Sequence, residues 1–203
     1  MNNLAKIIFC FILFLLIFSC EKSKLSDLKS EEEITILIQP FEDVKPKQLA
    51  EISENIRKIY PKIKILEPVD FPKNAFYQPR NRYRADSIIK YLRTKTPENS
   101  VTLALTNKDI SVTKGKVADF GVMGLGYRPG KACVASSFRL NTKNKNEQFY
   151  KIAIHELGHT QGLKHCPDKT CFMRDAEGKN PTNEEKDFCQ ICKKVLRSKH
   201  WKI

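Results

Sequence analysis

Two histidines four residues apart, His155 and His159, fall within the run His155-Glu156-Leu157-Gly158-His159-Thr160-Gln161-Gly162-Leu163-Lys164-His165-Cys166. On a helix that spacing puts both imidazoles on one face, one turn above the other, where they reach a single metal ion. Zinc is the ion that suits such nitrogen donors. Glu156 is not needed as a ligand, so its carboxylate is free to take a proton from a water on the metal. Gly162, three residues beyond the second histidine, can adopt the positive φ that ends the helix and turns the chain back. His165 then closes the site from outside the helix. Three neutral nitrogen ligands and one open position are expected of a catalytic zinc, which lowers the pKa of its water to about 7. Glu156 would pass the proton to a leaving amine, and the implied reaction is peptide-bond hydrolysis.

Four cysteines follow as two close pairs, Cys166 with Cys171 and Cys189 with Cys192. Their C-x4-C and C-x2-C spacing suits a closed tetrahedral thiolate zinc site of the structural kind. An exported location favours disulfides instead, for which four cysteines permit three pairings. Met173 lies just past Cys171 and reads either as core filler or as a packing residue beneath the metal.

The pattern H-E-x-x-H-x-x-G-x-x-H with a downstream methionine resembles the metzincin metallopeptidases. The cysteines at 166, 171, 189 and 192 make the chain similar to one branch of them, the archaemetzincins. That resemblance implies a catalytic zinc on His155, His159 and His165, with Glu156 as general base and Met173 in a turn beneath the ion. It also implies a second, structural zinc on the four cysteines, hence two Zn2+ per chain. The implied architecture is an α/β (α+β) metzincin-like zincin fold. It has a twisted mixed sheet with an antiparallel edge strand, a long zinc-binding helix and a small C-terminal subdomain.

These residues must be positioned by the elements before them. Lys6 precedes the apolar run Ile7 to Phe18, too short to span a bilayer comfortably, so residues 1–19 read as an export signal that carries Cys10 away. The end of that run, Leu16-Ile17-Phe18-Ser19-Cys20, resembles a bacterial lipoprotein signal, which implies a lipid-modified Cys20 and a membrane-anchored protein of the cell envelope. Residues 20–33 lack apolar spacing and read as a solvated tether. The folded domain is expected over 34–203, with an upper part at 34–163 and a lower part at 164–203.

Ile34 to Ile38 is a β-branched run ended by Pro40, a strand covered on both faces. Leu49, Ile52, Ile56 and Ile59 recur at helical spacing between Pro46 and Pro61, and Ile63, Ile65 and Leu66 suggest a second strand, completing a βαβ unit. Residues 70–84 read as a loop, Ile88, Ile89 and Leu92 carry a helix, and Val101 to Leu105 form a strand. Gly121 to Tyr127 and Lys131 to Ser136 read as an antiparallel hairpin, with Pro129-Gly130 at the centre of a type II turn. Its edge strand could pair with an extended substrate, or be purely structural. Cys133 reads as a small buried hydrophobe. The zinc helix is expected over 147–163, and a short C-terminal helix within 188–203.

The formal net charge is +13, and +12 once Lys6 leaves with the signal, since no acid lies before residue 20. No nucleic-acid motif is visible, and export argues against that partner class. An anionic membrane surface or acidic peptides are the better use of the charge. The reading is a monomeric zinc metallopeptidase acting on peptide or protein substrates. Its alternative is a non-catalytic zinc-binding or peptide-binding lipoprotein.

Overall fold

The apolar run at the start of the domain is a strand, β1 (Thr35–Pro40), and the rest of the main sheet is laid down on both sides of it. In this computed structural model residues 32–203 are described. The expected signal at 1–19, Cys20 and the tether up to residue 31 lie outside the described residues. Strand β2 (Ile63–Ile65) pairs with β1 in parallel, Ile36 opposite Ile63. On the other side β5 (Ser100–Thr106) pairs in parallel, Ile36 opposite Val101. Next comes β9 (Ala132–Ser136), parallel to β5, and then β8 (Gly124–Gly126), antiparallel to β9, at the edge.

Successive side chains point to opposite faces of a strand, so an apolar run must be covered twice. Ile36, Ile38, Leu103, Leu105, Cys133 and Ala135 enter one core, against helices α1 (Pro46–Ile59) and α3 (Lys145–Thr160). Ala104, Ala132 and Val134 enter the other, against α2 (Ala85–Arg93). Cys133 is fully buried in this way, as a small core side chain. Pro46 opens α1 at its first turn, where a missing N–H costs nothing, and Pro61 drives Tyr60 into an extended conformation that ends it. Helix α4 (Gln190–Arg197) docks through buried Cys192 and Leu196 onto the first core, which thus joins residues from both sides of position 163.

Three expectations need correction. The fold holds a second mixed sheet, of β3 (Phe76–Tyr77), β4 (Arg82–Arg84), β6 (Ile110–Lys114) and β7 (Val117–Val122), in the order β3-β4-β6-β7. Residues 70–84 are therefore not simply loop; β3 and β4 are two and three residues long, too short to show a period. A stack of Phe41, Phe71 and Tyr83, each pair at 4.0 Å between ring centroids, ties them to the core. Second, the run Gly121 to Tyr127 is divided at Met123, with residues up to Val122 in the small sheet and Gly124 onward in the main one. Third, the β8–β9 connection is not a type II turn. Gly130 lacks the positive φ that turn demands, and its N–H donates to Thr160 O at 3.2 Å. Helix α3 starts and stops two to three residues earlier than expected.

Candidate metal centres

Helix α3 presents His155 and His159 with ring centroids 4.7 Å apart. Gly162 then takes φ +97°, and the reversed chain brings His165 to 5.4 Å from the first ring and 4.9 Å from the second. One nitrogen from each ring lies within 4.8 Å of the other two. Which nitrogen is fixed by the partner of the other. His155 Nδ1–H donates to Phe172 O at 2.6 Å, His159 Nδ1–H to Leu163 O at 2.8 Å, and His165 Nδ1–H faces Asp175 Oδ2 at 3.1 Å. Carbonyl and carboxylate oxygens only accept, so Nδ1 carries the proton of the neutral tautomer and Nε2 is the nitrogen left for a metal. Tetrahedral zinc with Zn–N near 2.05 Å wants nitrogens about 3.4 Å apart, a spacing small side-chain movements reach. Burial pushes His155 down to about 3 and also lowers His159, keeping both rings neutral, as ligands must be.

Glu156 is 6% exposed and sits against the edge strand. A Cβ on Gly124 would overlap its carboxylate, and one on Gly126 would lie 2.7 Å from its carbonyl oxygen. These two glycines let α3 approach β8, a use of them that the sequence reading had not weighed. Burial raises Glu156 to about 8, and a cation at the adjacent trio favours its charged form.

The four cysteines converge as well, among residues whose sulfurs all lie within 4.8 Å of one another. Cys166 Sγ is 3.6 Å from Cys189 Sγ, and Cys171 Sγ is 3.8 Å from Cys192 Sγ. Four thiolates around zinc at 2.3 Å stand about 3.8 Å apart, whereas a disulfide needs about 2.05 Å. None of the five described cysteines is in a disulfide. Burial pushes Cys171 up to about 11 and raises Cys192 too, so these two thiols stay protonated until a cation displaces their protons, whereas at Cys189 burial is outweighed by hydrogen bonds from Cys192 N–H and Cys166, which lower it.

The two clusters share a loop. Cys166 N–H donates to Met173 O at 2.8 Å, and Phe172, which receives His155, lies between Cys171 and Met173. Met173 is fully buried beneath α3, its sulfur against Gly158. Lys151, one turn before His155, is also buried and donates to Thr182 O, Glu185 O and Glu147 Oε1 at 2.8 to 2.9 Å. It straps the chain beyond the cysteines to the histidine helix. Asp175, Gly158 and Lys151 went unmarked in the sequence reading, since each acts through a tertiary neighbour. Beside the trio runs a cleft of about 360 Å³, between residues 120–124 on one wall and 174–181 on the other, with Ile152 and Glu156 at its base.

Comparison with known proteins places this geometry. The model of peptidase family M54 matches residues 33–198. An archaemetzincin of Archaeoglobus fulgidus is 32% identical over 167 residues, covering 80% of this chain and 98% of its own length. One from Halobacterium salinarum is 27% identical over 173 residues, with 78% and 97% covered. The crystal structure of the Archaeoglobus fulgidus protein superposes with a TM-score of 0.69 at 30% identity, over 80% of this chain and 99% of that one. A second archaemetzincin structure, from Methanopyrus kandleri, shares the fold at a TM-score of 0.69 and 24% identity, over 86% and 98%.

Proposed function

From its membership of peptidase family M54, which makes this chain a zinc metallopeptidase, we propose that it hydrolyses peptide bonds in the cleft beside His155, His159 and His165, with Glu156 as general base. The carrying observation is that one nitrogen from each of three rings lies within 4.8 Å of the other two, with every Nδ1 on an oxygen, beside a Glu156 carboxylate that has no hydrogen-bond partner among the described residues. Zinc held there supplies Lewis acidity toward the scissile carbonyl and toward water. The chain's own residues do the rest. Glu156 accepts a proton from the attacking water and delivers it to the departing amine, and its burial favours holding the proton between the two steps. Strand β8, whose outer edge is unpaired among the described residues, offers backbone groups to an extended peptide. Residues 34–163 and 164–203 would form the upper and lower lips of the cleft.

A second, structural zinc on Cys166, Cys171, Cys189 and Cys192 is part of the same reading, and so is Met173 as the turn under the histidines. The sulfur spacings support the first and the burial of Met173 the second. We further read the protein as exported, lipidated on Cys20, held at the membrane of the cell envelope, and monomeric.

The test is a peptide-library digest with zinc-loaded protein and its Glu156→Gln variant. The wild type should cleave, and the variant should lose at least about 100-fold. No cleavage by the wild type at any zinc loading would favour a binding lipoprotein instead. Metal analysis should return two zinc ions per chain, and the mature N-terminus should carry an acylated Cys20.

A further inference from the structure

The chain enters the described body at Glu32, and its first backbone is tied to one corner. Tyr60 Oη donates to Ile34 O at 2.7 Å and Lys62 Nζ to Glu33 O at 2.5 Å. The C-terminal segment reaches the same place: Trp201 packs on Tyr60 with ring centroids 5.5 Å apart, and Lys202 N–H donates to Ile59 O at 2.8 Å. The two segments joined here, residues 57–64 and 188–203, hold nine lysines and arginines and no aspartate or glutamate. Arg57, Lys58, Lys62, Lys64, Lys194, Arg197 and Lys202 are exposed.

The acids that reach this corner are few. Glu54 pairs with Arg57, Glu33 with Lys62 and Asp187 with Lys193, Arg197 Nε donates to Ile203 O, and Glu32 accepts from Asn99. Among the described residues Lys64, Lys194 and Lys202 have no carboxylate partner. On α4, Ile191 is 78% exposed three residues before Lys194, so an apolar side chain stands among the cations.

We propose that this corner is a docking surface for anionic phospholipid headgroups. Clustered exposed cations that outnumber the acids beside them attract a negative bilayer surface, each unpaired one strengthening partition roughly fivefold when it lies near the headgroups. That attraction fades within about 8 Å at physiological salt, so it acts only when the corner faces the bilayer. The inference rests on the reading of residues 1–33 as signal and tether for its use in the cell. Eleven residues lie between Cys20 and Glu32, a reach of at most about 40 Å, and they join the body at the basic corner. The tether limits distance, and the cations choose the face that lies down.

The test uses residues 32–203, which hold both cores and correspond to nearly the whole length of the archaeal relatives, so the body folds on its own. It is sedimented with vesicles of phosphatidylcholine alone or with about one third phosphatidylglycerol, at low and at 0.5 M salt (roughly a 4 Å screening length). We expect binding to the anionic vesicles at low salt and at least tenfold weaker binding to neutral vesicles or in high salt. Glu substitution is avoided; the variant Lys58→Gln, Lys62→Gln, Lys194→Gln, Arg197→Gln, Lys202→Gln should lose that binding. A control neutralising Lys73, Lys90, Arg93, Lys116 and Lys143, exposed elsewhere, should keep it. Near-ultraviolet dichroism of Trp201 checks that both variants are folded. Equal loss in variant and control, salt-insensitive binding, or no binding at low salt overturns the proposal. Because Cys20 is absent from this body, failure here leaves the lipoprotein reading untouched, and that reading is tested separately by the mass of the mature N-terminus.

Discussion

The sulfur of Met173 lies 2.5 Å from the position that a Cβ on Gly158 would occupy. Gly158 is one of the two residues between Glu156 and His159 whose identity the H-E-x-x-H pattern leaves open, and here it lets the methionine loop press against the histidine helix. An alanine would gain up to about 1 kcal/mol in helix propensity but must push aside a buried side chain. We expect Gly158→Ala to destabilise the fold by about 1–2 kcal/mol net and to weaken zinc binding at the trio. Adding Met173→Ala should recover part of the loss. Urea unfolding of the two single variants and the double variant measures the coupling, and strict additivity would remove the contact from the argument.

The His165–Asp175 pair should matter for metal binding more than for stability. Both side chains are about half exposed, so the ion pair itself contributes little to folding. Its expected role is to hold the Nδ1 proton and aim Nε2 at a metal. Asp175→Ala should weaken zinc retention at the trio about tenfold in competition with a chelator while changing unfolding free energy by less than about 0.5 kcal/mol. An unchanged chelator titration would leave Asp175 without a part in the site.

Removing thiols should damage the histidine site through the shared loop. The segment from Cys166 to Met173 supplies Phe172 O to His155 and continues directly from His165. The double variant Cys189→Ser, Cys192→Ser should therefore lose more than one zinc equivalent, with peptide cleavage reduced alongside. A protein that keeps one full zinc and wild-type activity would show the two centres to be independent.

How much of this was legible in the sequence depends on the range of the interaction. His155, Glu156, His159, Gly162 and His165 are linked by helical spacing and one turn, so local geometry alone brings them together. The parallel core strands were legible because covering a strand on both faces leaves an unbroken apolar run. The small sheet was not, for the opposite reason. Its strands β3 and β4 are a few residues long, and β7 is only partly covered, so no period survives. Its polar centre was equally hidden. Asp109 accepts from Arg82 at 2.7 Å and from Arg139 at 2.8 and 2.9 Å, and Arg82 also reaches Asp119 at 3.0 Å. Gly121 leaves room for the Arg139 guanidinium. Those residues are 27 or more apart from their partners or joined only through the fold, and charge pairing over such distances leaves no pattern in a single sequence. The turn at Pro129-Gly130 was misread because the Gly130 N–H is claimed by Thr160, a tertiary partner that local turn rules do not include.

Glu185 provides a pH signature separate from the metal ligands. Its carboxyl lines the cleft, where burial pushes it up to about 7 although Lys151 and Arg174 pull the other way. In the unfolded chain the same group titrates near 4.5. Between those values the folded protein holds a proton that the unfolded chain has lost, so stability is fully present below about 4.5 and falls as pH rises through about 7. The cleft opens to solvent, and screening there limits the effect to on the order of 1–2 kcal/mol. Glu185→Gln removes this titration while keeping the shape. Urea unfolding of zinc-loaded wild type and variant at pH 5.5 and 7.5 isolates it, because protonation of the zinc ligands affects both proteins alike. The variant should lose less stability between the two pH values than the wild type, and an identical loss would place Glu185 in contact with solvent and outside the energetics of the cleft.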